Sequence, residues 1–370
     1  MAKDKFKVAI IGAGMIANAA HIPAWKDLPD DVEIVAVMDI FETNAQNTAK
    51  MHGIPKAYTN AEKMLEECKP DIVSVCTPNC YHKQYTIMSL EAGAHVLCEK
   101  PVATSARDAA EMFDTAERVG KLLFVGQTMR WSGSVIAAKE FVDMGKLGEM
   151  YYAETASLRR RGVPKWGMFH MKEHNAGGPL YDIGVHSLDA LLWIMGNPKV
   201  IAASGATYLK IANKDEGLKT SLADSGAPLG LFTPRPYDYR EFNVEDFGVG
   251  FMRLEGGATI YLKASWAANI AEGMGGTFIL GTEGGLKLQP LTYVTNMGSY
   301  QVDVTPRVPQ DRQVAFFGHY MECAHFVRVI RGEEKELLVK RAEALNVMRA
   351  LDAIYKSAEL GHEVPVEDVN

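Results

Sequence analysis

The stretch Lys7-Val8-Ala9-Ile10-Ile11-Gly12-Ala13-Gly14-Met15-Ile16-Ala17 decides the fold of this chain. Its first half is a short run of apolar and β-branched residues without polar alternation, the pattern of a strand buried on both faces of a parallel sheet. The run ends at Gly12, and Gly14 and Ala17 follow at GxGxxA spacing before a helical pattern begins. Gly12 suits a tight turn, Gly14 lets backbone amides come close to a pyrophosphate at a helix N-terminus, and Ala17 permits close helix–strand packing. The residues expected to touch a dinucleotide at this turn are Gly12, Gly14, Met15 and Ile16. Such spacing is weak evidence alone, so the context must support it.

It does. Glu33 to Asp39 is a second strand pattern, with Asp39 at its C-terminal end. A carboxylate there accepts hydrogen bonds from the adenosine ribose and repels a 2′-phosphate. Ile40, Phe41, Glu42 and Thr43 supply no cation to attract that phosphate, so NAD is expected rather than NADP. Helix and strand patterns then alternate: Thr43 to His52, Asp71 to Thr77, His82 to Ala92, His95 to Cys98, Ser105 to Val119 and Leu122 to Val125. This βαβ alternation predicts an α/β Rossmann domain, a doubly wound parallel sheet, over residues 1–128.

Beyond Thr128 the strands lengthen and alternate, at Met150 to Leu158, Glu245 to Leu254, Ala258 to Trp266 and Thr277 to Gly281. Glu255-Gly256-Gly257 marks a hairpin turn. Residues 129–370 are therefore expected to form an α+β domain with a large, open, mostly antiparallel sheet. Asn213 to Tyr239 reads as a long surface excursion, and an amphipathic helix at 340–360 is expected near the domain junction.

Bulk properties narrow the function classes. A chain of 370 residues accommodates two domains, and 47% hydrophobic with 23% charged residues is ordinary for a globular protein. The net charge of −7 offers no basis for binding nucleic acid. Cys68, Cys76, Cys80, Cys98 and Cys323 make an odd set without CxxC spacing, which argues against a metal or disulfide framework and fits a reducing cytoplasm. The N-terminus lacks the pattern of a signal peptide, and no run approaches the roughly 18 apolar residues of a membrane helix. A cytoplasmic protein without membrane association is expected.

Two segments carry the chemistry: Leu97-Cys98-Glu99-Lys100-Pro101 after the fourth strand pattern, and Gly177-Gly178-Pro179-Leu180-Tyr181-Asp182-Ile183-Gly184-Val185-His186. Oxidation of a secondary alcohol needs a base for the hydroxyl proton and a hydride acceptor at the same carbon. Lys100 stands where ligands meet α/β sheets, and its ammonium can stabilise a developing alkoxide. Asp182 and His186, four apart, share a face if the segment is α-helical, so the carboxylate is expected to orient the imidazole. On this reading the catalytic set is Lys100, Asp182 and His186. His186 is the favoured acid/base, Asp182 its partner and substrate anchor, and Lys100 the electrostatic element or proton relay, with Lys100 and His186 exchanging roles as the alternative.

With Thr77-Pro78-Asn79-Cys80-Tyr81-His82, these segments resemble the Gfo/Idh/MocA oxidoreductases over almost the whole chain, Pro179 departing from a usual third glycine. The resemblance implies the same catalytic trio. It also implies that Thr77, Pro78, Asn79 and His82 border the nicotinamide ribose, that Glu99 hydrogen-bonds that ribose, and that a cis bond before Pro101 presents Lys100. Gln127, Met129, Arg130 and Trp166 are expected to line the cleft, Gln127 and Trp166 on the cofactor side, with a domain-junction core position the other reading of Trp166. A homo-oligomer, built by burying the open sheet face, follows by analogy. The stretch Arg160 to Gly167 is similar to the substrate loop of glucoside 3-dehydrogenases, which implies a sugar, glycoside or cyclitol substrate and oxidation at C3 of a glucoside to a 3-keto product.

Alternatives are an NAD-dependent glycosidase working by transient C3 oxidation and elimination, a non-catalytic sugar or dinucleotide sensor, and an unrelated Rossmann reductase. His170 and His174 have HxxxH spacing but no third ligand in view, and a substrate-facing loop is preferred to a metal site. Alternation along a strand would put Arg159 and Arg161 on one face and Arg160 on the other. His21 reads as a helix-packing residue.

Overall fold

The computed structural model describes residues 5–214, 236–271, 273–308 and 316–367. Most of the surface excursion expected between Asn213 and Tyr239 lies outside the described residues.

The N-terminal part alternates strand and helix: β1 (Phe6–Ile11), a π-helical turn (Ala17–His21) running into α1 (Ile22–Lys26), β2 (Val32–Met38), α2 (Glu42–His52), β3 (Ala57–Tyr58), α3 (Ala61–Cys68), β4 (Ile72–Val75), α4 (His82–Glu91), β5 (His95–Cys98), α5 (Ala106–Arg118) and β6 (Leu123–Val125). The six strands form one parallel sheet in the order β3-β2-β1-β4-β5-β6. Every residue of β4 is buried, as a strand covered by helices on both faces requires. α5 starts where the Ser105 hydroxyl accepts the Asp108 N–H, and it buries Ala106, Ala109, Ala110, Met112, Phe113 and Ala116 along one stripe. The order reverses between β1 and β4, so both GxGxxA and the loop after β4 open at this switch point.

The remainder comprises α6 (Gly133–Asp143), β7 (Met150–Leu158), α7 (Lys172–Asn175), a second π-helical segment (Leu180–Gly184) leading into α8 (Val185–Ile194), β8 (Val200–Tyr208), β9 (Phe247–Leu254), β10 (Thr259–Ser265), β11 (Gly276–Gly281), β12 (Gly284–Leu288), β13 (Leu291–Met297), β14 (Tyr300–Val304), α9 (Phe317–Ile330), α10 (Arg341–Leu360) and β15 (Val364–Pro365). Nine strands form a sheet ordered β14-β13-β12-β11-β7-β10-β9-β8-β15. Its described pairs are antiparallel except β7 with β10. The expected hairpin joins β9 to β10 through Gly256 and Gly257.

One face of this sheet is covered by α8 and α10, burying Ala153, Met252, Ile260, Leu262 and Ile279. The other face alternates outward and carries Tyr152, Glu154, Tyr261, Lys263, Phe278, Val249 and Phe251. α10 ties the two sheets together. Its Asp352 accepts the Ala106 N–H at the start of α5 (2.7 Å) and the Tyr181 hydroxyl beside the second π-helical segment (3.0 Å). α9 returns to the N-terminal part, where Phe326 packs on Phe124 and the helix lies along α1. Arg130, buried and hydrogen-bonded twice to Asp189 (2.7 Å each), joins the loop after β6 to α8.

Candidate active site

At the end of β1 the chain turns at Gly12 with φ +95°, and a Cβ there would lie 2.6 Å from the carbonyl oxygen of Cys76, so only glycine fits. Above Gly14 nothing lies within 4 Å of a Cβ position, which leaves an open cradle at the helix start. Asp39 stands beside it, half-buried, accepting the N–H of Ala13 through Oδ2 and of Phe41 through Oδ1, both at 2.9 Å. The turn and the Asp39 carboxylate are therefore built as one piece.

Buried polar atoms with no hydrogen-bond partner among the described residues include Thr77 Oγ1 and Gln127 Oε1, just past the ends of β4 and β6, as well as Trp166 Nε1 and His186 Nδ1. Orphaned groups of this kind cost about 1–3 kcal/mol each unless something bound satisfies them. With the open cradle, they fit a dinucleotide running from Asp39 towards Gln127. Asn79 and His82 are scaffold members: Asn79 donates to the Asn175 side chain (2.7 Å), and the His82 ring sits against the carbonyls of Pro101 (2.7 Å) and Thr77 (2.9 Å). They hold the loop that presents Thr77 and Pro78. The Lys100–Pro101 bond is cis.

Glu99 departs from the expectation for it. Its carboxylate is buried and turned inward, and it takes N–H groups from His21 (2.7 Å), His319 (3.3 Å) and the Lys100 backbone (3.1 Å). Burial opposes its charge, yet the two imidazoles hold its pKa well below the carboxylate range. Both oxygens are thus engaged inside the protein rather than towards a ribose. Nearby Glu322, fully buried, has no partner for either oxygen among the described residues. Burial, then the charges of Glu99 and Asp189, push its pKa up.

The three residues expected to be catalytic come together, but with different pairing. Lys100 Nζ donates to the Asp182 side chain (Oδ1, 3.1 Å) and to its carbonyl (2.9 Å), while Trp266 Nε1 donates to Oδ2 at 2.9 Å. Burial would raise the Asp182 pKa, but the charges of Lys100 and Arg159 and the Trp266 hydrogen bond lower it. The His186 imidazole donates no hydrogen bond to Asp182. The reason is local: Leu180–Gly184 is π-helical, and its wider turn breaks the four-residue periodicity that would stack the two side chains. Burial, then the neighbouring Lys100 charge, push the His186 pKa down to about 3, so the ring is neutral. Asp182 is therefore the partner of Lys100, not of His186.

The segment is placed by Glu245, a residue not singled out in the sequence. Its carboxylate accepts the N–H of Gly178 (2.8 Å) and of Leu180 (3.2 Å), and the Tyr355 hydroxyl (2.6 Å). A Cβ on Gly178 would fall 2.1 Å from the Glu245 carbonyl oxygen, which explains the glycine there. A cavity of about 340 Å³ opens in front of His186, lined by Thr128, Met129, Ser157, Leu158, Arg159 and Ile183.

Of the three arginines, Arg159 alone lines this cavity. β7 ends at Leu158, so strand alternation does not extend to Arg161, which instead donates to the carbonyls of Arg160 and Ala268. Arg130 is buried in its ion pairs and is structural. Trp166 is buried against Phe169. His170 is buried against Tyr237 and Phe242 rather than facing a substrate, and His174 lies beside Tyr81.

A six-stranded parallel sheet with a glycine turn and a carboxylate just past β2, joined to a cleft holding a lysine–carboxylate pair, is the architecture of an NAD-dependent oxidoreductase. Comparison with known proteins agrees. Residues 6–127 match the family described as "Oxidoreductase family, NAD-binding Rossmann fold", and residues 135–287 match the "GFO/IDH/MocA C-terminal domain". The chain belongs to the Gfo/Idh/MocA family; its cofactor is NAD, and it is a dehydrogenase of the sugar and polyol class.

It is 34% identical over 367 residues to the D-glucoside 3-dehydrogenase of Escherichia coli K12, covering 98% of each chain. It is 30% identical over 228 residues to the glucose-6-phosphate 3-dehydrogenase of Bacillus subtilis 168, covering 60% of this chain and 63% of the other. A levoglucosan dehydrogenase solved in complex with NADH has the same fold, with a TM-score of 0.81 at 19% identity over 99% of this chain and 100% of that one. Among the described residues no helix is long and apolar enough to cross a membrane.

Proposed function

We propose that the protein oxidises the C3 hydroxyl of a glucoside or related pyranose to a 3-keto product. The observation that supports this most is the lysine–carboxylate–indole group, Lys100 with Asp182 and Trp266, beside a cavity sized for a small polyol. The substrate class follows from the full-length similarity to a D-glucoside 3-dehydrogenase.

Gly12, Gly14, Met15, Ile16 and Asp39 hold the adenosine and pyrophosphate end of the cofactor, and Thr77, Pro78, Gln127 and Trp166 the nicotinamide end. When bound, NAD supplies the acceptor for the hydride that leaves the carbinol carbon. The chain's own residues manage the proton. Asp182 holds Lys100 Nζ, which as an ammonium polarises the hydroxyl oxygen and, once it has released one proton to solvent, takes the hydroxyl proton as the alkoxide develops. His186, neutral, presents Nδ1 to a substrate hydroxyl and fixes the ring. Arg159, which lines the same cavity, contacts further hydroxyls.

The site thus favours the exchanged assignment, with Lys100 as the proton-handling group. The five free cysteines accord with a reducing cytoplasm. The aromatic open face of the nine-stranded sheet suits a second copy of the chain, which light scattering would register as at least a dimer.

The test is anaerobic mixing of protein and NAD with glucosides, free sugars and cyclitols, following NADH absorbance and product mass, with Lys100→Ala as control. Loss of two mass units from a glucoside, absent in the control, is expected. Oxidation of cyclitols but of no glucoside would remove the C3-glucoside assignment. Release of aglycone without net NADH would favour glycosidase chemistry.

A further inference from the structure

Lys100 is held at two ends. Asp182 fixes its ammonium, as described, while its backbone is fixed by the buried carboxylate of Glu99. That carboxylate is anchored by two imidazoles from distant parts of the chain: His21 from the π-helical turn behind the cofactor cradle, and His319 from the first turns of α9. We infer that His21 and His319 are positioning residues, which lock Glu99 and so set where Lys100 meets the substrate hydroxyl. This rests on the dehydrogenase reading of the site above.

The hydrogen bonding supports a directed network. Trp25 Nε1 donates to Ser74 Oγ at 2.8 Å, and Ser74 Oγ lies 3.4 Å from His21 Nδ1. His21 Nε2 is left to donate to Glu99 Oε1, where His319 Nε2 also points, and Glu99 Oε2 receives the Lys100 N–H. An ionised carboxylate with three N–H donors is rigid as well as stable. The rings of His21 and His319 meet edge to face, 5.3 Å apart, so each also restrains the other.

The separations favour protons over a metal ion. Three ligand atoms of His21, Glu99 and His319 lie within 4.8 Å of one another, a spacing that also admits a cation. But 2.7 Å between His21 Nε2 and Glu99 Oε1 is a charge-assisted hydrogen-bond distance, shorter than the roughly 3.4 Å between tetrahedral ligands at about 2.0–2.2 Å from one ion.

The arrangement has a functional consequence. α9 is remote in sequence from the glycine turn, yet its His319 completes the support of Lys100. A small displacement of α9 would therefore move the lysine backbone without touching substrate or cofactor, and misplacement of about 1 Å costs on the order of a hundredfold in rate.

His319→Ala removes one anchor, and His319→Gln returns an N–H donor towards Glu99. Each is purified and compared with wild type for NAD content, melting temperature, kcat and KM on a methyl glucoside, hydrogen exchange at the Lys100 amide, and bound metal by elemental analysis. For His319→Ala, kcat is expected to fall roughly ten- to a hundredfold with KM for the glucoside and NAD within threefold. The Lys100 amide should exchange at least about tenfold faster, as expected for a hydrogen bond freed to open locally. His319→Gln should recover most of both.

A kcat within threefold of wild type in His319→Ala would overturn the inference. So would failure of His319→Gln to recover rate at an unchanged melting temperature, or a stoichiometric divalent cation in wild type that both variants lose. If wild type oxidises no sugar at all, the dehydrogenase reading fails while the exchange measurement still decides whether His319 secures Lys100.

Discussion

Replacing Asp182 by asparagine tests the pairing on which the site depends. The carboxylate accepts from two sides, Lys100 Nζ at 3.1 Å and Trp266 Nε1 at 2.9 Å, and it is largely shielded from water. Asparagine keeps the shape but offers one oxygen and one NH₂ group. Whichever way the amide turns, a donor faces a donor, either the indole N–H or the ammonium. The lost attraction between unit charges at this separation is about 5 kcal/mol at an effective dielectric near 20. Relief of the cost of burying the carboxylate offsets part of that. The orphaned donor adds about 1–3 kcal/mol.

Asp182→Asn is therefore expected to unfold about 2–4 kcal/mol more easily in urea. Its kcat should drop about 10²- to 10³-fold, comparable with removing a positioned electrostatic group, while NAD stays bound. A double-mutant cycle on unfolding free energy locates the partner. Lys100→Met with Asp182→Asn should show coupling of at least about 1.5 kcal/mol, and His186→Gln with Asp182→Asn less than about 0.5 kcal/mol. The reverse ranking, with strong coupling to His186 and none to Lys100, would refute the pairing described here.

Gly12→Ala places a methyl group against the Cys76 carbonyl at a positive φ, so a loss of at least about 2 kcal/mol and of bound NAD is expected, read from urea melts and absorbance of the purified protein. Asp39→Ser with Ile40→Arg removes the ribose acceptor and adds a cation, and should lower kcat/KM with NAD about tenfold or more while admitting NADP; unchanged preference would show that Asp39 does not read the ribose. His186 stays neutral in the fold down to about pH 3, whereas in the unfolded chain it protonates near 6.5. Between pH 6 and pH 4 the unfolded chain therefore binds the extra proton, and stability falls with acidification by up to about 1.4 kcal/mol per pH unit from this residue. His186→Gln should flatten that slope by about 1 kcal/mol per unit in urea melts at pH 4, 5 and 6, and equal slopes would show that the ring is not buried uncharged.

What could be read from the sequence was chiefly what is encoded locally. Gly12, Asp39 and Lys100 sit at the ends of strands whose apolar runs are unmistakable, and each is fixed by a strand-to-helix turn a few residues long. The paired β9–β10 hairpin was equally plain from two alternating runs about a glycine turn. β8 and β12 were not, because Ala202, Ala203, Gly205, Gly284 and Gly285 give little alternation to count. β3 is two residues long and leaves no periodicity at all.

The Asp182–Lys100 pairing escaped for a different reason. Residue spacing assumes a helix type, and the π-helical turn is a property of how Glu245, Tyr355 and Asp352 seat the segment rather than of the segment itself. His21, Trp266 and His319 have no local signal, since each acquires its role only when β1, β10 and α9 meet.

The parallel pairing of β7 with β10 bears on the order in which a ribosome could deliver the working enzyme. β7 lies between β10 and β11, and its partners Thr259 to Ser265 and Gly276 to Gly281 emerge more than a hundred residues after it. Contacts across such separations form slowly, and synthesis proceeds at about 5–20 residues per second. The first sheet, by contrast, has all its strands once Val125 has left the exit tunnel. A nascent chain paused near residue 250 would thus carry a formed nucleotide-binding half, with Phe124 still lacking its cover from Phe326 and β7 still without a neighbour. That interval exposes both an apolar patch and an unpaired strand, the two features that chaperones and aggregation compete for.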